Sequence, residues 1–153
     1  MSGISNAWVA YIHYLSFMIC FGSLIFERVS LKTNPNKKEA ISMVIADVIY
    51  GVAGIALLVS GIFRVIKFGQ GTEFYTQNPI FWTKIVIFAA VGSLSLYPTI
   101  TYILWAIPLS KGNLPNVGDN LVYRLRIILN IELIGFALIP LFATLMARGI
   151  SLS

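Results

Sequence analysis

The chain has 153 residues, of which 58% are hydrophobic and only 11% are charged, and its mean hydropathy is +0.83. A soluble domain of this size cannot bury so much apolar surface, so the composition excludes an ordinary soluble globular protein. The formal net charge of +5 does not indicate nucleic-acid binding, because the basic residues lie in short segments beside apolar runs. We therefore expect an integral membrane protein that contacts lipids and binds no nucleic acid.

Four apolar stretches are long enough to cross a membrane, since a helix needs about 20 apolar residues to span the ~30 Å hydrocarbon layer. We predict helices at about residues 7–28, 40–67, 79–107 and 120–147. No segment shows the two-residue alternation of barrel strands. The loops are short, so neighbouring helices run antiparallel. The predicted fold class is all-α: one transmembrane domain over residues 1–153, an antiparallel four-helix bundle with both termini on the same side.

The ends of these stretches carry recognisable stop and start signals. The first has no basic residue ahead of it, which favours a retained helix over a signal peptide, and it is followed by the polar turn 33–36. The third opens with Asn78-Pro79, a cap followed by a first-turn proline. Inside the helices, Pro98 and Pro140 predict kinks. Glycines 51, 54 and 61 of the second helix share one face, where another helix can approach closely.

The distribution of Lys and Arg predicts the orientation in the membrane. One face, formed by the first and third loops with their helix ends, holds seven: Arg28, Lys32, Lys37, Lys38, Lys111, Arg124 and Arg126. The opposite face holds four: Arg64, Lys67, Lys84 and Arg148. We therefore expect both termini on the outer or lumenal side and the basic loops in the cytoplasm or stroma.

Ionisable side chains within a membrane usually face the bundle interior and pair with another group. Those near the basic-loop face are Glu27, Arg28, Asp47, Arg124 and Arg126. Because an unpaired buried charge is far more costly than a buried pair, we predict that Asp47 or Glu27 pairs with Arg124 or Arg126 in a structural role.

Glu132 and Asn130 lie near the middle of the fourth helix. A desolvated carboxyl group can hold a proton at neutral pH, so Glu132 is a candidate proton carrier. Alternatively, Asn130 or Arg126 holds it in a structural hydrogen bond. A proton-coupled transporter that uses Glu132 and Lys84 is a further hypothesis.

The outer third of the membrane contains His13, Arg64, Trp82 and Lys84. Its cations have no evident acidic partner except Glu73 in a loop, so an anionic group is expected to complete this site. A lipid phosphate and a porphyrin propionate are the two candidates.

His13 is the only histidine, so two histidines of one chain cannot ligate a haem. It is either a hydrogen-bond donor between helices or the axial ligand of haem iron, with Met18, Lys84 or a second copy of the chain supplying the other ligand. The lone Cys20 excludes an intrachain disulfide and a cysteine-based metal site, and we expect it in the core.

Several short stretches carry a family resemblance: Ile12-His13-Tyr14-Leu15 leading to Glu27-Arg28, Pro79 through Lys84, Ser95 through Thr99, and Arg126 through Asn130 to Glu132. On these stretches the whole chain resembles an uncharacterised four-helix membrane protein family of cyanobacteria and plastids. The resemblance implies a thylakoid or plasma membrane.

The pattern is more distantly similar to HemJ-type protoporphyrinogen oxidases and CopD-type membrane proteins. The residues that correspond to the HemJ pattern are His13, Arg28, Lys84, Asn130 and Glu132. Arg28 is one residue early, and Ile131 separates Asn130 from Glu132. If the chain is an enzyme, this resemblance implies a porphyrinogen oxidoreductase.

These observations favour a polar intramembrane site around His13 that binds haem b or another tetrapyrrole, with Arg64 and Lys84 near the propionates. The alternative is a non-catalytic accessory or assembly subunit of a larger photosynthetic membrane complex, or a homodimer. An active-site nucleophile motif, a P-loop or a dinucleotide fingerprint would indicate a soluble type of enzyme, and the sequence has none of these.

Overall fold

A computed structural model describes residues 2–149. Its helices are α1 (Ser2–Ser30), α2 (Lys37–Phe63), α3 (Thr72–Thr76), α4 (Pro79–Ser110) and α5 (Asp119–Ala147), and a π-helical segment (Arg64–Phe68) continues α2. The structure contains no β-strand within residues 2–149. The predicted all-α class is therefore confirmed. The short helix α3 was not predicted: it lies within the connection that the sequence indicated as a loop.

The four long helices each have the length and apolar composition to cross a membrane. The shortest of these spans has 28 residues, which at 1.5 Å per residue is about 42 Å, longer than the hydrocarbon layer. Large apolar side chains cover the outside of the bundle, and Val52, Ile55 and Val86 are each at least 65% exposed. Such a surface is stable in lipid and not in water. The chain is therefore an integral membrane protein.

Local capping explains where two of the long helices begin. Asn36 accepts a hydrogen bond from the Glu39 backbone N–H, and the Glu39 carboxylate accepts one from the Asn36 N–H, which completes a capping box at the start of α2. Asn78 caps α4 through the backbone N–H of Ile80, with Pro79 in the first turn. The predicted cap and proline are confirmed at this position.

The long helices pack in the ring order α1, α2, α4, α5, so that each contacts two neighbours. Both ends of the described chain lie at the end of the bundle that carries α3. The core contains Cys20, as predicted, and its thiol donates to the Tyr50 carbonyl oxygen at 3.7 Å. The largest fully buried side chains include Tyr102 and Phe136.

Two details of the helices differ from the sequence prediction. Gly61 lies against α1, but a Cβ at Gly51 or Gly54 would meet no atom within 4 Å, so within the described chain no helix approaches these two residues closely. Pro98 and Pro140 lie inside helices as predicted, and α4 also continues through Pro108 to Ser110. Pro108 cannot donate a backbone hydrogen bond to the preceding turn, and α4 ends two residues later at Ser110.

Candidate functional site

A cavity of about 680 Å³ opens between the long helices at the end of the bundle that carries α3. We call it the outer cavity. Most of its lining is apolar or aromatic, as is typical of ligand sites. The structure brings together in it the three residues predicted to bind a cofactor: His13, Arg64 and Lys84.

The ring of His13 is held by α2 through one nitrogen. Nδ1 lies 3.2 Å from the Leu57 carbonyl oxygen and 3.1 Å from Ser60 Oγ. A carbonyl oxygen can only accept, so Nδ1 carries the proton and Nε2 of the neutral ring has a free lone pair. Within residues 2–149, no hydrogen bond reaches Nε2. A metal-ligating histidine is commonly oriented in this way, by donating its other N–H to a backbone carbonyl.

Gly61 allows the His13 ring to lie against α2. A Cβ at this glycine would come 3.2 Å from His13 Cε1 and 3.6 Å from Nδ1, and the first of these is closer than most contacts of real Cβ atoms. The glycine therefore contributes to the ring position, which the sequence pattern had indicated only as a close approach between helices.

The outer cavity is cationic. Arg64 and Lys84 line it, together with Arg148 from the end of α5. The Arg64 guanidinium lies 4.9 Å from the centre of the Tyr14 ring, and the Lys84 ammonium lies 5.3 Å from that of Phe81, so aromatic faces help to place both charges. No Asp or Glu from the described part of the chain lines this cavity. The site can therefore attract an anion.

A π-helical segment places Arg64 at the rim of the cavity. This wider helical turn begins at Arg64 and ends at Phe68, and such turns are frequent at functional sites. Gly69 follows directly, and a Cβ there would overlap both the Arg64 carbonyl oxygen and the Tyr75 hydroxyl. Only glycine fits this position without a shift of the chain.

Sequence reasoning missed several cavity residues and misplaced others. Arg148 and the buried Met146 line the cavity, whereas Met18, suggested as a second haem ligand, is 59% exposed and lies outside it. Trp82 is also outside, and its indole N–H donates to the Thr76 carbonyl at 2.9 Å. The sequence does not show which face of α5 is turned toward the cavity, so it gave no signal for Met146.

On the opposite half of the bundle, Glu27, Asp47 and Glu132 are all buried. The predicted ion pairs with Arg124 or Arg126 are wrong: within residues 2–149, the ion pair that forms is Lys32–Glu39 at 2.8 Å. Arg126 instead donates to the Leu31 carbonyl oxygen, and Arg124 is exposed. Both arginines lie on the outside of α5, so they do not reach the interior.

Asp47 accepts a hydrogen bond from Thr99 Oγ1 at 2.7 Å. The predicted bond from Asn130 or Arg126 to Glu132 is also wrong, because both residues form hydrogen bonds elsewhere; the Glu132 carboxyl lies near the Ser95 hydroxyl of α4, without a hydrogen bond of good geometry. Asn130 is exposed on α5 and accepts from Arg28 Nε at 2.6 Å.

The five residues that correspond to the HemJ pattern therefore separate into three places. His13 and Lys84 line the outer cavity, Arg28 and Asn130 bond to each other, and Glu132 is buried elsewhere. The proton-coupled transporter hypothesis combined Lys84 with Glu132, and the structure does not bring these two side chains together.

The comparison with known families agrees with this architecture. The family model described as "Predicted membrane protein (DUF2214)" matches residues 5–151, nearly the whole chain. The chain belongs to this family. The family description gives a membrane location for DUF2214 proteins and names no activity. No curated protein and no solved structure matches the chain.

Proposed function

We propose that this DUF2214 protein binds an anionic tetrapyrrole, haem b or a porphyrin, in the outer cavity. His13 would supply the axial nitrogen to a haem iron, and Arg64 and Lys84 would pair with the propionates. The observation that carries the proposal is that one cavity of about 680 Å³ contains the lone histidine and three cations without an acidic residue from the described chain.

The residues present fit such a group in three respects. The volume falls within the ~300–1,000 Å³ of small-molecule sites. His13 Nε2 has a free lone pair while Nδ1 is held by α2, as in many haem and metal sites. Lys84 and Met146 line the same cavity, and either is a chemically suitable second ligand.

Bound haem would supply one-electron chemistry, and this chain's part would be to hold the group and exclude water. The proposed cyanobacterial or plastid origin and HemJ-like activity both remain predictions. Oxidation of a porphyrinogen by the purified protein would be the direct measurement of that activity.

The test is absorption spectroscopy of the purified full-length protein, before and after addition of haem. We expect a Soret band that shifts or disappears in His13→Ala, because the axial nitrogen is lost. We expect Lys84→Gln to weaken binding of both haem and metal-free porphyrin by about tenfold or more, since a hydrogen bond to a charged group contributes ~1.5–3 kcal/mol. Lys111→Gln, at the opposite end of α4, is the matched control and should leave affinity unchanged.

A protein that binds neither haem nor porphyrin would refute the proposal. Mass spectrometry of the same preparation then identifies the alternative ligand: a retained phospholipid would assign the cations to a lipid phosphate.

The accessory-subunit hypothesis is favoured by a different observation. Gly51 and Gly54 leave open space on α2, where a helix of another chain or a second copy can pack closely. A colourless protein that co-migrates with a larger membrane complex, and dissociates when both glycines are replaced by leucine, would support this second function.

A further inference from the structure

Three buried carboxyl groups from three different helices lie in the half of the bundle opposite α3, close enough to interact electrostatically. Glu27 of α1 is 1% exposed, Asp47 of α2 is 5% exposed and Glu132 of α5 is fully buried. Glu27 interacts electrostatically with both others, and Glu132 interacts with Asp47. We call these three residues the acidic cluster.

Three of the six carboxyl oxygens of the acidic cluster are buried without a hydrogen-bond partner. Glu27 Oε1 and both oxygens of Glu132 are buried and unpartnered, while Asp47 accepts from Thr99. An independent feature at the same place is Tyr102 of α4. Its side chain is fully buried, its hydroxyl has no partner, and it interacts electrostatically with all three carboxyl groups. Buried polar groups rarely remain unsatisfied, so a further ligand is expected here.

No cation faces the acidic cluster from the described helices. The nearby arginines are engaged elsewhere: Arg28 donates to Asn130, and Arg126 donates to the Leu31 carbonyl. The other titratable groups that face it are Tyr50 of α2, whose hydroxyl lies 2.6 Å from Ser95 Oγ, and the Cys20 thiol of α1. Neither carries a positive charge. Residues 2–149 also contain no group of three acidic, His or Cys side chains arranged to hold a metal ion.

Three ionised carboxylates without a cation would be very costly at this depth in a membrane. Each would lose its hydration, and all three would repel one another. Protonation removes both costs, because a carboxylic acid is neutral and its O–H can donate to a neighbouring oxygen. Glu27 Oε1 and both oxygens of Glu132, which have no hydrogen-bond partner, would then belong to neutral groups.

We propose that the acidic cluster is a proton-binding site that holds carboxyl protons within the membrane at neutral pH and exchanges them with water at the basic-loop end. Glu27 provides the connection, because it lies one turn before the end of α1 at Ser30. Glu132 lies 13 residues inside α5, which begins at Asp119, or about 20 Å from that end. The hydrogen bonds of Arg28 to Asn130 and of Arg126 to Leu31 place the last turn of α1 beside the middle of α5, so Glu27 and Glu132 lie at a similar depth.

Infrared spectroscopy of the purified full-length protein tests the proposal, because the C=O stretch of a protonated carboxyl group is distinct from that of a carboxylate. We expect a carboxylic acid band at neutral pH that falls reversibly as the pH is raised. Glu27→Gln, Asp47→Asn and Glu132→Gln should each remove part of that band. Glu39→Gln is the matched control, since Glu39 is paired with Lys32 at 2.8 Å, and it should leave the band unchanged.

Tyr102→Phe keeps the test decisive where a cluster variant fails to fold, because it removes only a hydroxyl. The proposal expects the acid band to shift in this variant, because a buried hydroxyl that interacts electrostatically with all three carboxyl groups is removed. Absence of the band in folded protein at neutral pH would overturn the proposal, and so would a band that survives replacement of all three acids. Loss of the band on addition of Na⁺ or Mg²⁺ at constant pH would also overturn it, by showing that a metal cation occupies the site.

Discussion

The contact between α4 and α5 depends on Gly135, and replacement of this residue by alanine should separate the two helices. A Cβ at Gly135 would lie closer than 3.0 Å to Val91 Cγ2. Val91 is only 3% exposed and is β-branched, so its side chain cannot rotate away freely. The helices must therefore move apart or the valine must strain.

The expected cost follows from a comparison with a second glycine. Overpacking of a close contact costs about 1–3 kcal/mol, whereas glycine to alanine in a helix gains up to about 1 kcal/mol. Gly92 on α4 has open space where a methyl group would lie, so Gly92→Ala reports the helix gain alone. Relative to Gly92→Ala, Gly135→Ala should lower the free energy of unfolding by about 1–3 kcal/mol, a factor of roughly 5 to 150 in the equilibrium constant.

The assay is equilibrium unfolding in mixed micelles with increasing dodecyl sulfate, followed by circular dichroism. Val91→Ala alone should also destabilise the protein, because it leaves a void. In combination with Gly135→Ala the void receives the new methyl group, so the double variant should be more stable than the sum of the single effects predicts, by about 1–2 kcal/mol. Strictly additive effects, or equal stability of the two glycine variants, would refute the packing argument.

Two further predictions concern the sites. Gly61→Ala should displace the His13 ring by a few tenths of an ångström. Haem added to the purified variant should therefore bind more weakly or show an altered Soret band. An unchanged spectrum would show that this glycine does not set the ring position. Thr99→Val removes the 2.7 Å hydrogen bond to the buried Asp47 and should lower the free energy of unfolding by about 1–3 kcal/mol in the same micelle assay. Thr101→Val is the control and should have little effect, because the exposed Thr101 hydroxyl bonds to a carbonyl of its own helix.

Much of the fold could be predicted because the relevant information is local along the chain. The length of each apolar run decides whether a helix can span the membrane, and Asn78-Pro79 marks a helix start by its own chemistry. Helical spacing is local in the same way: Ser16, Cys20 and Glu27 recur at three- or four-residue multiples in α1, and all three are buried.

The sequence also grouped His13, Arg64 and Lys84 into one site, because the position of each residue along its helix gives its depth in the membrane. Pairing between helices could not be obtained in this way. Opposite charges at similar depth suggested that Asp47 or Glu27 binds Arg124 or Arg126, yet these arginines lie on the outside of α5. The sequence gives the depth of a side chain in the membrane, but the rotation of its helix decides whether the side chain faces the interior or the lipid.

The amino-acid sequence by itself determined that this protein is surrounded by lipid and consists of four membrane-spanning helices. It also determined that His13 and two cations lie near one end of the bundle. Only the tertiary structure decided that these cations share one cavity with Arg148 and Met146. It also decided that three buried acids and Tyr102 interact electrostatically without a counter-ion from the described helices. The physical reason is that hydrophobicity and capping act within a segment, whereas helix rotation and contact between helices result from packing of the whole bundle.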